Sequence, residues 1–349
     1  MKICYINFTT TNSRDRVTIR GLRENGVEVI EVTDTTPGWR KFPSIRRKLK
    51  KIENYDQIIV GYTAAIFVPW MWLITRKKIT YNALASFYES MIVSRRAGSS
   101  FSWKAFTYWG MDWCAFKTAD LILVESQSQK HYIAKTFRIR PEKIEVHLSG
   151  VDDTIFYFDP HIQKSSKFIV LFRGKFLPEA GVDVLLHAAK KLEHLPVRFR
   201  ILGHGLLQKE IVSLAQKLEL KNTEIITDYL TDENIRAMML ECSLSLGQLA
   251  HHPRLLRTIP FKAFEAMAMK LPFLTARNKA VMEIHTENVT CLGCEPGDAD
   301  DLARKIRFAY ENPTLLETLR SNGYTLFQEH LTARSLGQNL LILLSKKTS

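Results

Sequence analysis

The sequence predicts an α/β protein built from two doubly wound, Rossmann-like domains, and three observations predict it. Short runs rich in Val, Ile, Leu and Phe alternate with helix-length segments, the pattern of parallel βαβ units. The alternation stops near residues 152–166, where Asp152-Asp153, Asp159-Pro160 and Ser165-Ser166 mark a linker, and then starts again. At 349 residues the chain is long for one such domain and comfortable for two.

The elements follow in order. A first strand is expected over residues 2–8, then a polar turn over 9–13 and a helix over 17–25 that Gly26 closes. Residues 27–32 form the second strand. Residues 57–61, 79–82 and 121–125 read as further strands, the last after a long helix over 103–118, and 143–148 as one more before Gly150. The second domain opens on a strand over 168–172 that runs into Arg173-Gly174-Lys175. An amphipathic helix over 182–192 follows, then a strand over 198–202 ending in Gly203-His204-Gly205. Later strands are expected over 224–227, 244–246 and 272–275. The domains are thus 1–160 and 161–332, with 333–349 as a C-terminal helix that returns to the first domain and forms a hinge with Asp159-Pro160. Ligands in such sheets bind beyond the carboxyl ends of the strands, so the expected site is a cleft between the domains.

Hydrophobic content of 46% and charged content of 24% exclude a disordered chain. The formal charge of +13 is concentrated toward the first half. Between Trp39 and Lys51 lie seven basic residues (Arg40, Lys41, Arg46, Arg47, Lys48, Lys50, Lys51) and no acid. Near an anionic bilayer each would contribute about 1 kcal/mol of attraction; a solvated helix face is the other reading. The longest apolar run, 64–74, contains Pro69 and is too short to span a bilayer. It holds Phe67, Trp70 and Trp72 and meets Arg76-Lys77-Lys78, the pattern of an interfacial contact or, on periodicity alone, of a core element. A nucleic-acid partner is not expected, because the basic run has few interleaved aromatics and no recognition motif accompanies it.

The five cysteines are odd in number and scattered, and Met1-Lys2 leads straight into a strand rather than a cleavable signal. Both favour a reducing cytoplasm, and with the basic run a peripheral place at the inner face of the membrane. Cys291 and Cys294 have metal-ligand spacing but no second pair and no nearby His couple, so no zinc site is expected.

The chemistry is expected around residues 257–275. Pro260 suits the first position of a helix over about 260–270, and Pro272 ends it before a strand. Free N–H groups, the helix dipole, Arg257 and Lys262 together make an anion site fit for a diphosphate. Glu265 shares the face of Lys262, and a carboxylate there would accept from a ribose diol. An amphipathic surface helix with a Lys262–Glu265 pair fits equally. At the end of the first strand, Arg14 or Arg16 would meet a phosphate on an acceptor, or would pair with Asp15 at the helix start. Asn82 follows another strand and cannot act as a base, which leaves Glu89 as the best carboxylate for deprotonating an acceptor hydroxyl. His204 and the pair His251-His252 are loop histidines that would polarise phosphate or sugar, or do nothing.

These residues also resemble a family. Glu265-Ala-Met-Ala, Pro272 and the apolar strand resemble the donor-site signature of GT-B fold glycosyltransferases, glycosyltransferase family 4 of the group 1 type. Phe172-Arg-Gly-Lys175 through Gly181-Val-Asp-Val-Leu-Leu resembles the first strand, loop and helix of that family's C-domain. Phe199-Arg-Ile-Leu-Gly-His-Gly205 resembles its second strand and Gly-x-Gly turn. Thr118 to Ser126, Gly150-Val-Asp and Pro296 to Ala303 fall in register as well, so the resemblance covers nearly the whole chain in order.

The resemblance implies a glycosyltransferase moving a sugar from a UDP- or GDP-linked donor to an acceptor hydroxyl, with retention and without a metal or other cofactor. It implies that Gly174, Lys175, Gly203, Gly205, Arg257, Lys262 and Glu265 hold the donor, with Lys175 and Lys262 stabilising the leaving diphosphate. The acceptor, met by Arg14, Arg16 and Asn82, would be a lipid-linked or other glycan of cell-envelope polysaccharide synthesis. Two positions depart from the pattern: Arg257 stands where the family has the first of two Glu, and Ala180 where it has a cation. These departures keep open a catalytically silent relative that binds nucleotide sugar or lipid within a complex. A sugar-nucleotide epimerase on the same fold would need a pair of acid/base carboxylates, which the sequence does not locate.

Overall fold

The computed structural model describes residues 1–8 and 12–346. The chain divides into two units, Met1–Asp152 with Leu331–Ser349, and Asp153–His330. Residues 153–160, assigned to the first domain from the linker signals, belong to the second unit, and the return to the first begins at Leu331 rather than at 333.

Unit 1 holds β1 (Lys2–Asn7), α1 (Ser13–Glu24), β2 (Glu28–Thr33), α2 (Lys41–Lys50), β3 (Gln57–Val60) and α3 (Phe67–Ile74). β4 (Lys78–Leu84), α4 (Trp103–Thr118), β5 (Leu121–Val124), α5 (Gln127–Phe137) and β6 (Ile144–Val146) complete its sheet. The strands pair in parallel in the order β2-β1-β3-β4-β5-β6. β1, β3, β4 and β5 are buried almost throughout, as parallel strands covered on both faces must be. α1 starts where the side chain of Asn12 accepts from the Asp15 N–H, so the helix begins earlier than its apolar periodicity suggests. Residues 9–11, part of the expected turn, lie outside the described residues.

Unit 2 repeats the plan with β7 (Phe168–Arg173), α6 (Val182–Lys191), β8 (Val197–Leu202), α7 (Gln208–Lys217), β9 (Thr223–Ile226) and α8 (Asp232–Leu240). β10 (Leu244–Leu246), α9 (Phe261–Ala268), β11 (Phe273–Ala276), β12 (Leu292–Cys294), α10 (Ala299–Glu311) and α11 (Pro313–Leu326) follow. Its strands are parallel in the order β12-β11-β10-β7-β8-β9. The core packs α6 and α10 on this sheet through Leu185, Leu186, Phe199, Leu302 and Ile306. β12 explains the Cys291/Cys294 spacing: both thiols are buried at the sheet edge, and burial pushes each up to about 12.

α12 (Ala333–Lys346) returns to unit 1 and packs along α1. The two helices cross at Gly21 and Gly337, where a Cβ on either glycine would collide with backbone of the other helix. Leu340 and Leu344 continue the contact into the core beside Ile3, Tyr5 and Ile19.

Candidate active site

In both sheets the strand order reverses at one point, between β1 and β3 in unit 1 and between β7 and β10 in unit 2. The crevice beyond the carboxyl ends of such strands is where a doubly wound sheet leaves backbone groups open to a ligand.

In unit 2 this point gathers one charged cluster. β7 ends at Arg173, and Gly174 follows with φ +150. A Cβ on Gly174 would lie 3.0 Å from Lys262 Nζ, and a Cβ on Gly203 would collide with the Gly174 carbonyl oxygen. The loops after β7 and β8 therefore touch backbone to backbone, tied by Phe176 N–H donating to the His204 carbonyl at 2.8 Å. Gly205, φ +144, closes against the Phe176 backbone.

α9 brings Lys262 and Glu265 to the same place, and both are buried. Lys262 Nζ stands 3.7 Å from the centre of the Phe172 ring and donates to Gln248 Oε1, just beyond β10, at 3.4 Å. Burial pulls its amine down to about 7, with the Arg173 charge acting in the same direction and Glu265 and Glu179 opposing. Glu265 Oε1 accepts from Arg173 Nη1 at 2.6 Å, while its buried Oε2 has no hydrogen-bond partner among the described residues. Arg173 itself packs over Phe156, 5.0 Å from the ring centre. Behind the cluster, Glu179 accepts from Arg254 Nη1 at 2.9 Å and is 4% exposed.

The structure thus brings together Gly174, Gly203, Gly205, Lys262 and Glu265. Lys175 follows Gly174 in the same loop and is exposed; Arg257 is half-buried ahead of α9. Pro260 is the N-cap of α9, in extended conformation, rather than its first helical residue, and the helix stops at Ala268. The expected Lys262–Glu265 surface pair does not form, because Glu265 bonds to Arg173 instead. Sequence reasoning misses Arg173, which it reads only as the residue that follows the strand over 168–172. Its signal was a cation at a strand's carboxyl end beside a glycine loop. Gln248 left no signal at all.

In unit 1 the corresponding end is a buried polar network, in which Arg14 Nη2 has no hydrogen-bond partner among the described residues. Arg14 is fully buried, donating through Nε to Asn82 Oδ1 at 2.7 Å and through Nη1 to Ser149 Oγ at 2.8 Å. Ser149 Oγ in turn donates to Glu125. Asn82 donates to Tyr5 Oη at 2.9 Å and to Asp15 Oδ1 at 3.2 Å, and Tyr5 Oη donates to Asp15 at 2.6 Å. Burial lowers Arg14 and raises Asp15 from their ordinary values, and holds His147, near Arg14, neutral with a value of about 3. Arg14 and Asn82, expected to meet an acceptor, are both buried in this network and bond to one another. Arg16 is exposed and pairs with Asp152 at 3.2 Å. Glu89, expected to deprotonate the acceptor, is 1% exposed and accepts from Gln129 Nε2 at 2.9 Å. Asp112, held near Glu89 by Ser86 Oγ and the Phe87 and Tyr88 N–H groups, is raised to about 6 by burial. A cavity of about 550 Å³ in unit 1, lined by Lys78, Asp120, Arg140 and Lys143, opens at the amino ends of the strands, away from the switch point.

The model of the family described as glycosyl transferases group 1 matches residues 153–326. An uncharacterized glycosyltransferase of Methanocaldococcus jannaschii is 30% identical over 153 residues, 44% of this chain and 41% of the relative. WcaL of Escherichia coli, a putative colanic acid biosynthesis glycosyltransferase, is 23% identical over 55% of this chain and 48% of its own length. The chain thus spans about half the length of the curated relatives it matches. Among solved structures, Anabaena HepE in complex with UDP and glucose superposes with a TM-score of 0.76 at 18% identity, covering 99% of this chain and 100% of HepE. Sucrose-phosphate synthase of Thermosynechococcus elongatus gives 0.77 at 15% identity over 99% of this chain and 98% of that one. Through residues 153–326 the chain belongs to the group 1 glycosyl transferases, and its two parallel six-stranded sheets are those of the GT-B fold.

Proposed function

We propose that this protein is a glycosyltransferase whose unit 2 binds a nucleotide-sugar donor at the carboxyl ends of β7 and β10. One observation carries the reading: Arg173, Lys262 and Glu265 converge near Gly174, and Glu265 keeps one buried carboxylate oxygen without a partner among the described residues. That oxygen is an acceptor waiting for a donor, which a ribose hydroxyl supplies. Lys262, the exposed Lys175 and the amino end of α9 supply the positive field for the diphosphate. HepE, bound to UDP and glucose, shares the fold and supports a uridine nucleotide as the first candidate, with GDP as the second.

In the proposed step the bond from the anomeric carbon to the diphosphate oxygen breaks and the acceptor oxygen takes its place. The acceptor proton passes to the departing diphosphate, since Glu89 is buried away from solvent in unit 1. Lys262 and the helix dipole stabilise the charge that develops on the leaving group. The transfer proceeds with retention and without a metal. The acceptor is a lipid-linked or other glycan of polysaccharide synthesis, reached at the inner membrane face, which the colanic acid relative and the basic surface of α2 support.

Thermal unfolding with UDP, GDP, ADP and CMP tests the donor site. A nucleotide at a hundredfold excess over its Kd adds about 2.7 kcal/mol of apparent stability. One nucleotide should stabilise the native chain and leave Glu265→Ala unmoved. Stabilisation without any release of nucleotide from the matching sugar conjugate would instead identify a silent relative, and no stabilisation by any of the four would remove the donor site.

A further inference from the structure

Unit 1 presents an apolar surface that its own fold leaves uncovered. α3 is apolar along its whole length, yet only Phe67, Val68 and Met71 are buried, with Trp70 packed partly against the core. Trp72 and Leu73 are 58% and 72% exposed. α4, packed against α3, buries Ala105, Asp112, Ala115 and Phe116 and turns Trp103, Phe106 and Trp113 outward, at 79%, 64% and 41% exposure. Positions 103, 106 and 113 recur at three- and seven-residue spacing, which makes one stripe along the helix. Trp39 adjoins the same region: it stacks on Phe42 of α2, which meets Trp70 of α3 edge-on at 5.0 Å. Single exposed apolar residues need no explanation, but large aromatics on adjoining helices mark a surface with a partner.

Charge identifies that partner. Between Gly61 and Thr118 the only acids are Glu89 and Asp112, and both are buried. The seven basic residues of the same stretch (Arg76, Lys77, Lys78, Arg95, Arg96, Lys104 and Lys117) are all exposed. α2 adds Arg46, Arg47 and Lys50 on its outer side, opposite the buried Ile45 and Leu49. Tryptophan sits at the level of lipid headgroups, where lysine and arginine meet phosphate. Among the described residues no helix is long and apolar enough to cross a membrane, so the contact lies along the surface.

We infer that the α3–α4 face is the apolar anchor by which this protein lies on an anionic bilayer. The inference rests on the proposed membrane location and deepens it: Trp72, Leu73, Trp103, Phe106 and Trp113 enter below the headgroups, while α2 supplies electrostatic attraction. The test is co-sedimentation of the full chain with equimolar phosphatidylglycerol–phosphatidylcholine vesicles and with pure phosphatidylcholine vesicles. The triple variant Trp103→Ser, Phe106→Ser, Trp113→Ser should lose about tenfold or more in affinity for the anionic vesicles at both low and high salt. The variant Arg46→Gln, Arg47→Gln, Lys50→Gln should lose affinity mainly at low salt. An environment-sensitive dye on Cys114, the exposed cysteine beside Trp113, should shift to the blue on anionic vesicles. If the triple variant binds as the native chain while the α2 variant does not, the membrane location stands and the α3–α4 anchor is overturned. Native chain that binds no vesicle overturns both. Concentration-dependent self-association that the triple variant abolishes, with no vesicle binding, would show that a second copy covers the face. Melting curves with and without nucleotide, on every variant, check the fold and the donor site separately.

Discussion

Arg173 Nη1 donates to Glu265 Oε1 at 2.6 Å, joining the end of β7 to α9 and leaving the other buried carboxylate oxygen without a hydrogen-bond partner among the described residues. The guanidinium is 26% exposed and the carboxylate 8%, so the pair is largely shielded from water. Removing one partner of such a pair leaves a buried charge uncompensated, at a cost of about 3 kcal/mol. Arg173→Met should therefore lower the melting temperature and weaken nucleotide binding together. Arg173→Lys keeps the charge but loses the planar donor geometry, and should retain stability better than it retains affinity. Equal nucleotide affinity in Arg173→Met and the native chain would show that Arg173 does not orient Glu265.

Lys262 gives the donor site a pH dependence. Its amine titrates near 7 in the folded chain, against about 10.4 when unfolded. Between those values the unfolded chain binds a proton that the folded chain does not, so stability rises with pH across that window and is flat below it. A bound diphosphate favours the charged amine, so nucleotide binding at pH 8 takes up a proton and affinity falls as pH climbs above 7. Calorimetric titration in buffers of different ionisation enthalpy should register this uptake in the native chain and none in Lys262→Met. No uptake in the native chain would mean that the amine does not meet the ligand's charge.

Most of the fold was legible because both sheets are parallel and buried, so their strands stand out as short apolar runs; β10 and α4 fall where the sequence placed them. β12 was not, because Leu292–Cys294 is too short to carry a pattern and its cysteines suggested other chemistry. In the donor cluster, Lys262 and Glu265 were legible from helical spacing, but their partners were not. Arg173 and Gln248 arrive from other strands, and only the parallel pairing of β7 with β10 makes them neighbours. The acceptor side was legible only in part, for a related reason. A strand's carboxyl end reads as an open site whether its polar residues face solvent or, like Arg14 and Asn82, are buried and bond to one another.

The bond between Arg14 and Asn82 has its own consequence. Arg14→Met would strip two hydrogen bonds from a fully buried network, leaving Asn82 Oδ1 without its donor and Glu125 without its nearby cation. Such a loss costs about 3 kcal/mol, concentrated in unit 1. Unit 1 should melt earlier while nucleotide still stabilises unit 2, giving two transitions where the native chain with nucleotide gives fewer. A variant that keeps its melting profile but loses transfer to acceptor would return Arg14 to the acceptor site.

The crossing of α1 and α12 offers the sharpest steric test. Gly21 and Gly337 meet where added Cβ atoms have no room: on Gly337, one would collide with the Gly21 carbonyl and lie 2.7 Å from its Cα. Backbone cannot step aside as a side-chain end can, so Gly337→Ala must push α12 off α1, at the about 1–3 kcal/mol typical of overpacking. The displacement would also loosen Leu340 and Leu344 from Ile3 and Tyr5. Hydrogen exchange should show α12 losing protection in Gly337→Ala while α9 and β7 keep theirs. Exposed Ser345→Ala, on the same helix but away from the crossing, should change neither. Unaltered protection of α12 in Gly337→Ala would mean that the helices do not cross at these two glycines.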